Sequence, residues 1–335
     1  MKEIAKRAAY RCGILPAIHR FSHGATLTAT MFHRVLADDD PRWRDADPLY
    51  TVGATFFARC LAFFRRHYNV VSLRQVVEAA TSGAALPPRA MLVTFDDGWA
   101  DNLETAAPIM RRLDVPGVVF VAASAVMANE DEWWQERLFG AARDGVFAGG
   151  APARLAAAVP DIPSHDGRVD PLALAARLAA LDGEVRARAM ADLPRREAGR
   201  RMMLRPAELP ALVAAGVSLG VHGHSHAPLT LLPDPAGDLS RARAELAALG
   251  GGLGDWSTLA IPHGRYDARV LDGAWAAGFK LVFTSDAHIN ATPGCFAGGR
   301  TRLGRISVDQ PILVDGAGAL DEAKLAAWLW RRPVR

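Results

Sequence analysis

RAMLVTFDDG, residues 89–98, is the most strand-like run in the chain, and it stops abruptly at Asp96-Asp97-Gly98. A helix pattern follows through Leu103–Leu113, and GVVFVAAS (117–124) reads as the next buried strand. Upstream, TLTATMFHRVL (26–36) reads as a buried strand running out at Phe32–His33, with a Pro- and Asp-rich loop over 37–50. Thr55 then opens a helix pattern whose Phe56, Phe57, Leu61, Phe63, Phe64 and Tyr68 supply apolar positions at helical spacing, and the four Phe read as core. NVVSLRQVVEAATSG (69–83) gives a short strand, a Ser72 cap and a helix closed by Gly83. Strands alternating with helices at this spacing argue for parallel pairing and an α/β class.

The rhythm breaks near residue 136. Residues 141–200 hold 17 Ala and 9 Arg with no β-rich run, which reads as a helical insertion or small lobe. It resumes with a helix at 206–215, a strand at GVSLGVH (216–222), a helix at 238–249, a strand at TLAIP (258–262), a helix at 268–277 and a strand at KLVFTS (280–285). A polar loop at 286–300, RISV and a terminal helix close the chain. With no repeat or low-complexity linker between the halves, one barrel with an insertion fits better than two domains. The segments are a basic stretch at 1–25, the barrel at 26–320 interrupted at about 141–202, and a tail at 321–335.

Composition narrows the function classes. Half of the 335 residues are hydrophobic and 22% are charged, so a large core is available and a disordered or fibrous chain is excluded. A net charge of +3 gives no support to a nucleic-acid footprint. Cys12, Cys60 and Cys295 are odd in number and far apart, so they read as neither a disulfide framework nor a zinc knuckle, which favours a reducing, cytoplasmic setting. No stretch approaches the ~20 apolar residues of a spanning helix. Residues 1–24 interleave Lys2, Lys6, Arg7, Arg11 and Arg20 with Ile4, Ala8, Tyr10, Ile14 and Leu15. That pattern suits a basic surface helix, or an amphipathic contact with the anionic inner face of a membrane; Arg7, Arg11 and Pro16 interrupt any secretory h-region.

Chemistry concentrates at two strand ends. In a parallel α/β barrel, side chains at the C-terminal ends of strands converge on one face. Asp96 and Asp97 sit at one such end; adjacent carboxylates there suit one ligand and one proton acceptor, although a capped turn also uses Asp-Asp-Gly. His222-Gly223-His224-Ser225-His226 follows another apolar strand, and three histidines in five residues fit metal ligation better than core packing. A His222/His226 pair lies one helical turn apart, whereas His222 and His224 share a strand face; the approach to Pro228 favours the first, leaving His224 turned away or lining the cleft. One carboxylate plus two imidazoles leaves a free position, the arrangement of catalytic zinc, which activates water and polarises a carbonyl. The spare carboxylate is then placed as general base. Hydrolysis of an amide or ester follows. Co²⁺, Ni²⁺ and Mn²⁺ also suit such a site.

TFDDG (94–98) and HGHSH (222–226) resemble the first two motifs of the polysaccharide deacetylase (NodB-like) family of metal-dependent carbohydrate esterases, carbohydrate esterase family 4. MFHRV (31–35), NVVSLRQVVEA (69–79), DEWWQERLF (131–139), AIPHGRYD (260–267) and LGRISV (303–308) resemble further segments of bacterial members, so the likeness spans roughly 26–140 and 203–310. The resemblance implies a distorted (β/α)₇ barrel, Asp96 as catalytic base, and Asp97, His222 and His226 as ligands of one divalent ion, zinc foremost. It also implies a groove wall at AIPHG, including Pro262. The implied substrate is an N-acetylated, sometimes O-acetylated, amino sugar of a polysaccharide, oligosaccharide or glycolipid.

The chain departs from that pattern. Ile261 and His263 stand where the groove motif carries an Arg and an aromatic, although Arg265 follows closely. The late Leu-x-His motif that supplies the general acid is missing, since no histidine follows His288. Motifs one and two lie 125 residues apart (222 − 97), which the insertion explains. His288 and His263 are the candidates for the acid, and His33, at the end of the first strand, for binding or orienting substrate. Asp286 is a possible partner for His288. Trp133-Trp134 suits either stacking on a sugar ring or seating the insertion. Two other readings compete with the deacetylase: a dinuclear hydrolase using His222 and His224, which would need two ions, and a glycan-binding member of the fold without turnover.

Overall fold

The computed structural model describes every residue except 1, 45, 129–132, 163, 166–167, 196–200 and 251. Asp131 and Glu132 of the DEWWQERLF segment therefore lie outside the described residues.

Two short helices, α1 (Lys2–Arg11) and α2 (Ile14–Ser22), lead into β1 (Thr26–Phe32). The strand does not run on to Leu36. After His33 the chain starts β2 (Arg34–Leu36), which pairs in parallel with β3 (Thr51–Gly53) outside the main sheet, so the loop expected over 37–50 ends in a strand. Then come α3 (Ala54–His67), β4 (Asn69–Val70), α4 (Leu73–Ser82) and β5 (Ala90–Phe95). The Ser72 side chain and Gln75 form a reciprocal capping box at the start of α4, and Gly83 ends it in the left-handed region at φ 73°. A π-turn over Asn102–Ala106 leads into α5 (Ala107–Arg112), where a single helix through 103–113 is expected from sequence. β6 (Gly117–Val121) and α6 (Ala123–Ala128) complete the first half.

The insertion is a lobe of α7 (Trp134–Arg143), α8 (Ala153–Ala158), a small ribbon of β7 (Ser164–His165) and β8 (Arg168–Val169), α9 (Pro171–Ala179) and α10 (Gly183–Ala189). It has its own core, in which Leu138, Leu155, Leu174 and Leu178 are fully buried. The barrel resumes with α11 (Leu209–Ala214), β9 (Val217–Val221), α12 (Pro235–Ala248), β10 (Thr258–Ala260), α13 (Ala268–Ala276) and β11 (Leu281–Phe283). After β12 (Asn290–Ala291), β13 (Thr301–Leu303), β14 (Ile306–Ser307) and α14 (Gln310–Leu313), α15 (Glu322–Trp330) packs on the barrel.

Strands β1, β5, β6, β9, β10, β11 and β13 lie side by side in that order, every neighbouring pair parallel. β14 is parallel to β1. Residues 301–307 thus act as one strand broken at Gly304-Arg305, pairing with β11 before the break and with β1 after it. This nearly closes a (β/α)₇-type barrel, the architecture expected from the family resemblance. Strands covered on both faces carry continuous apolar runs, which is why β5 and β6 are buried at every position.

Period-two alternation divides the strands between two cores. Leu27, Ala29, Ala90, Leu92, Val118, Phe120, Leu281, Phe283 and Leu303 fill the inside, joined by Val71, Leu73 and Val76. Met91, Val93, Phe95, Val119, Val217, Leu219 and Val221 face the helices, where Phe56, Phe57, Phe63 and Phe64 meet them as core. Continuing the inward set along each strand brings His33, Asp96, His222 and Arg305 to one end of the barrel.

The N-terminal helices pack against α15. His19 is 2% exposed, stacks on Trp330 at 4.5 Å and 7°, and shares a 2.9 Å Nδ1–Nδ1 hydrogen bond with buried His23. Burial, with His23 as neighbour, pushes the His19 imidazole down from its ordinary value to about 3. Between pH ~6.5 and about 3 the unfolded chain therefore binds the extra proton, so stability is full above ~6.5 and falls with pH below it. Of the unfolding free energy lost between pH 7 and 5 in denaturant titrations followed by circular dichroism, His19 should account for about 2 kcal/mol, at 1.36 kcal/mol per pH unit. His19→Phe should reduce the loss by about that amount, the remainder coming from the other histidines held below their ordinary value, His263 among them; an unchanged slope in the variant would refute the assignment.

Candidate metal centre and active site

Asp96 ends the inward-facing series of β5, and the chain turns sharply after it. Asp97 has φ 77° and Gly98 φ 90°. A Cβ at Gly98 would lie 3.0 Å from the Val121 side chain, so glycine is needed there for both space and backbone. The turn swings the Asp97 carboxylate toward the loop after β9. That loop is held from below by Asp238 of α12, which accepts from the backbone N–H of His224 at 2.9 Å and of Ser225 at 3.0 Å.

Asp97, His222 and His226 are all buried, and one ligand atom from each lies within 4.8 Å of the others. Asp97 Oδ1 is 3.3 Å from His222 Nε2 and 3.0 Å from His226 Nε2. The outer atoms are engaged as well. His222 Nδ1 lies 2.8 Å from the Ala260 carbonyl, His226 Nδ1 lies 3.3 Å from the Gln135 amide, and Trp99 Nε1–H donates to Asp97 Oδ2 at 2.9 Å. With both Nδ1 atoms facing protein partners, both Nε2 atoms and one carboxylate oxygen converge, a donor set that suits a divalent ion. Burial raises the Asp97 carboxyl, but His226 and His222 outweigh it and hold the group well below the usual range. Burial lowers His222, yet Asp96 and Asp97 outweigh it, so the imidazole lies above its ordinary value.

Asp96 does not join that cluster. Arg305, 0% exposed, clamps it bidentately, Nη1 to Oδ1 at 2.6 Å and Nη2 to Oδ2 at 2.8 Å. The guanidinium also donates to Thr94 Oγ1 and the Thr284 carbonyl, both at 3.2 Å. Burial pushes the Asp96 carboxyl up, and Arg305 followed by His222 and His33 more than reverses this. An ionised acceptor thus sits beside the three-ligand cluster. Sequence reasoning missed Arg305, Asp238, Trp99 and Gln135. The available signal was a lone Arg in an apolar strand, because a buried cation requires a carboxylate partner.

The remaining expected residues divide by position. His33, at the end of β1, is half-buried, rests on Tyr50 with ring centroids 4.8 Å apart, and has Asp97 and Asp96 as its nearest opposing charges. His263 lies at the rim, its Nε2 2.9 Å from the His226 carbonyl and its ring 4.6 Å from the His226 ring. Pro262 is buried against Gly223, and Arg265 is exposed. His288 is placed elsewhere: its charged neighbours are Asp286, Arg335 and Arg302, and a Cβ at Gly304 would collide with its ring. Asp286 is bonded by Tyr266 and by Thr284 at 3.1 Å. His224 turns to Glu245, 3.2 Å away, on the far side of the loop. Trp133 is buried between Trp99 (4.9 Å) and His226 (4.8 Å), and Trp134 lies under Arg186 (4.7 Å), so this pair seats the lobe on the barrel.

Arg305→Met should cost about 3–5 kcal/mol in denaturant unfolding, because it strands the buried Asp96 charge. Arg305→Met combined with Asp96→Asn should recover most of that loss. Additive losses in the double variant would show that the two side chains do not act as a pair.

The family model described as polysaccharide deacetylase matches residues 83–282, 200 of the 335 positions. A comparison with curated proteins gave no match. Among solved structures, the chain is similar to the Streptococcus pyogenes deacetylase PplD in complex with acetate: TM-score 0.56 and 16% identity over 86% of this chain and 95% of that one. It is also similar to IcaB from Ammonifex degensii, at TM-score 0.55 and 20% identity over 92% and 98% of the two chains. A de-N-acetylase from Aggregatibacter actinomycetemcomitans gives 0.54 and 15% over 84% and 95%. At these identities the structural likeness establishes the fold.

Proposed function

Because the chain belongs to the polysaccharide deacetylase family, we propose that it is a metal-dependent hydrolase that removes acetyl groups from N-acetylhexosamine units of a bacterial polysaccharide, oligosaccharide or glycolipid. One observation carries the reading: a buried Asp97/His222/His226 donor set stands beside an Asp96 kept ionised by Arg305. A divalent ion held there, zinc foremost, supplies a Lewis acid for the acetyl oxygen and lowers the pKa of water. The protein's own groups supply the rest. Asp96, fixed by two hydrogen bonds, accepts the proton of the water that adds to the acetyl carbonyl. The departing nitrogen needs a proton, and His263, at the rim and against His226, takes that role in this reading in preference to His288. Burial and His226 push its imidazole down to about 3, so it passes on the proton that Asp96 has accepted from water rather than bringing one of its own. His33 and Pro262 then bound the groove in which the sugar lies.

The test is acetate release from N-acetylglucosamine oligomers and a lipid-linked N-acetylhexosamine, after chelation and after zinc or cobalt is restored. Activity should vanish with the metal and return with it, at one ion per chain; two ions per chain would favour the dinuclear alternative. Asp96→Asn should keep the ion and lose turnover by a factor on the order of 10²–10⁴, whereas His222→Ala should lose both. His263→Ala should impair turnover and His288→Ala should leave it nearly intact. The reverse pattern would transfer the acid role to His288. Metal binding without acetate from any substrate would favour a glycan-binding role.

The reading includes a location at an anionic membrane face. On α2, Ile14, Ile18 and Phe21 are 55%, 52% and 84% exposed and lie opposite the buried His19, flanked by Arg11 and Arg20. A cavity of about 600 Å³ along α1 and α15 is lined by Lys6, Lys324, Arg331 and Arg332 together with Ile312 and Trp328. An apolar helix face with basic flanks matches a surface of acidic headgroups. The protein should sediment with phosphatidylglycerol vesicles far more than with phosphatidylcholine vesicles, and Phe21→Glu with Ile18→Glu should abolish this. Equal sedimentation of wild type and variant would exclude the contact.

A further inference from the structure

We propose that Gln135, at the junction between the lobe and the barrel, is the positioning residue that sets His226 for metal binding. The inference rests on the reading of Asp97, His222 and His226 as metal ligands. The two histidines are oriented differently. His222 has a backbone acceptor, the Ala260 carbonyl at 2.8 Å from Nδ1, supplied by the neighbouring strand β10. His226 itself is left-handed, at φ 52°, and the partner facing its Nδ1 is the Gln135 side chain, buried and 3.3 Å away.

An imidazole that ligates through Nε2 carries its proton on Nδ1, and that proton needs an acceptor. The two ends of a Gln amide have the same shape, and half a turn about its last torsion places Oε1 where Nε2 lies. Oε1 then accepts from Nδ1–H, and the Nε2 lone pair of His226 faces Asp97 Oδ1, 3.0 Å away. The ring cannot easily swing aside, because Trp133 packs at 4.8 Å and His263 at 4.6 Å.

Gln135 is held in turn by the helix that carries it. Its neighbour Glu136 lies 3.7 Å from the buried Arg34 guanidinium, which sits 4.3 Å above the Trp99 ring. The next residue, Arg137, reaches the Leu193 carbonyl, and Leu138 is buried in the lobe core. The barrel supplies the three ligands, and the first turn of α7 supplies the outer partner of one of them.

The test uses the full chain, stripped with chelator and titrated with zinc against a competing indicator, with cobalt absorption as a second readout. Gln135→Met fills the same space without an acceptor, and zinc affinity should fall 10–100-fold with an altered cobalt spectrum. Gln135→Glu offers only acceptor oxygens and should bind at least as tightly as wild type. Zinc affinity of Gln135→Met within about threefold of wild type would overturn the proposal, as would equal losses in the Met and Glu variants. If the metal-free Met variant melts far below wild type, the Glu variant decides alone, and weaker binding by it counts against the proposal. Failure of the wild-type chain to bind zinc, cobalt, nickel or manganese is a separate outcome, because it removes the metal centre itself.

Discussion

A single strand has to complete the barrel and deliver a cation to its centre. Residues 301–303 pair with β11, residues 306–307 pair with β1, and the break between them is Gly304-Arg305. Asn290 secures the break: its Oδ1 accepts from the Gly304 N–H at 2.8 Å, and its amide donates to the carbonyls of Gly304 at 3.0 Å and Leu27 at 3.1 Å. Arg305 is thereby aimed inward onto Asp96. Desolvating such a pair costs about as much as its attraction returns, so it adds little net stability. What it fixes is the ionised state and the pose of the carboxylate, the two properties that the role proposed for Asp96 requires. Barrel closure and the charge of Asp96 are therefore one structural event.

The loops around the ligands store strain, and hydrogen bonds hold them in place. Asp97, His226 and His263 adopt φ of 77°, 52° and 57°, a region that non-glycine residues occupy at a cost of order 1–3 kcal/mol each. Bonds between neighbouring loops oppose that cost. The Ala122 N–H reaches the Asp97 carbonyl, the Ala123 N–H the Gly223 carbonyl and the Ser124 N–H the His224 carbonyl, each at 3.0 Å. The loops after β5, β6 and β9 are thus stitched to one another, which keeps the two histidines and the carboxylate aimed at a common point. A loop free to relax would turn Asp97 back toward an ordinary helix cap.

Most of the barrel was legible because parallel strands buried on both faces carry uninterrupted apolar runs. β5, β6 and β9 stand out in the sequence for that reason, and the candidate ligands follow because they sit where those runs stop. Some elements of two or three residues escaped, whereas β4, β10, β11 and β14, equally short, lie in runs that read as strands. β2, β3, β12 and β13 are too short to show a period, and their pairing is set by distant partners. The same distance hid Arg305, which meets Asp96 across 209 residues of sequence. The choice between His263 and His288 was equally hidden. Each follows a strand, but His263 turns back on the His226 carbonyl, whereas His288 is carried toward Gly304 and Arg335. Side-chain direction in a loop depends on one or two backbone torsions, and residue type does not report them.

The lobe has its own hydrophobic core, yet it is not detachable from the site. Its first helix begins at Trp134 and runs to Arg143, so a boundary drawn at residue 141 would cut through that helix. Leu138 and Ala141 bury into the lobe, while Trp133, Gln135 and Glu136 bury into the barrel beside Trp99, His226 and Arg34. One helix therefore spans two cores, and the packing of either core fixes the register of the other. Loosening the lobe would free the turn that carries Trp133 and Gln135, and the first ligand to lose its orientation would be His226. An insertion of weak sequence pattern is by this route tied to the geometry of the Asp97/His222/His226 cluster.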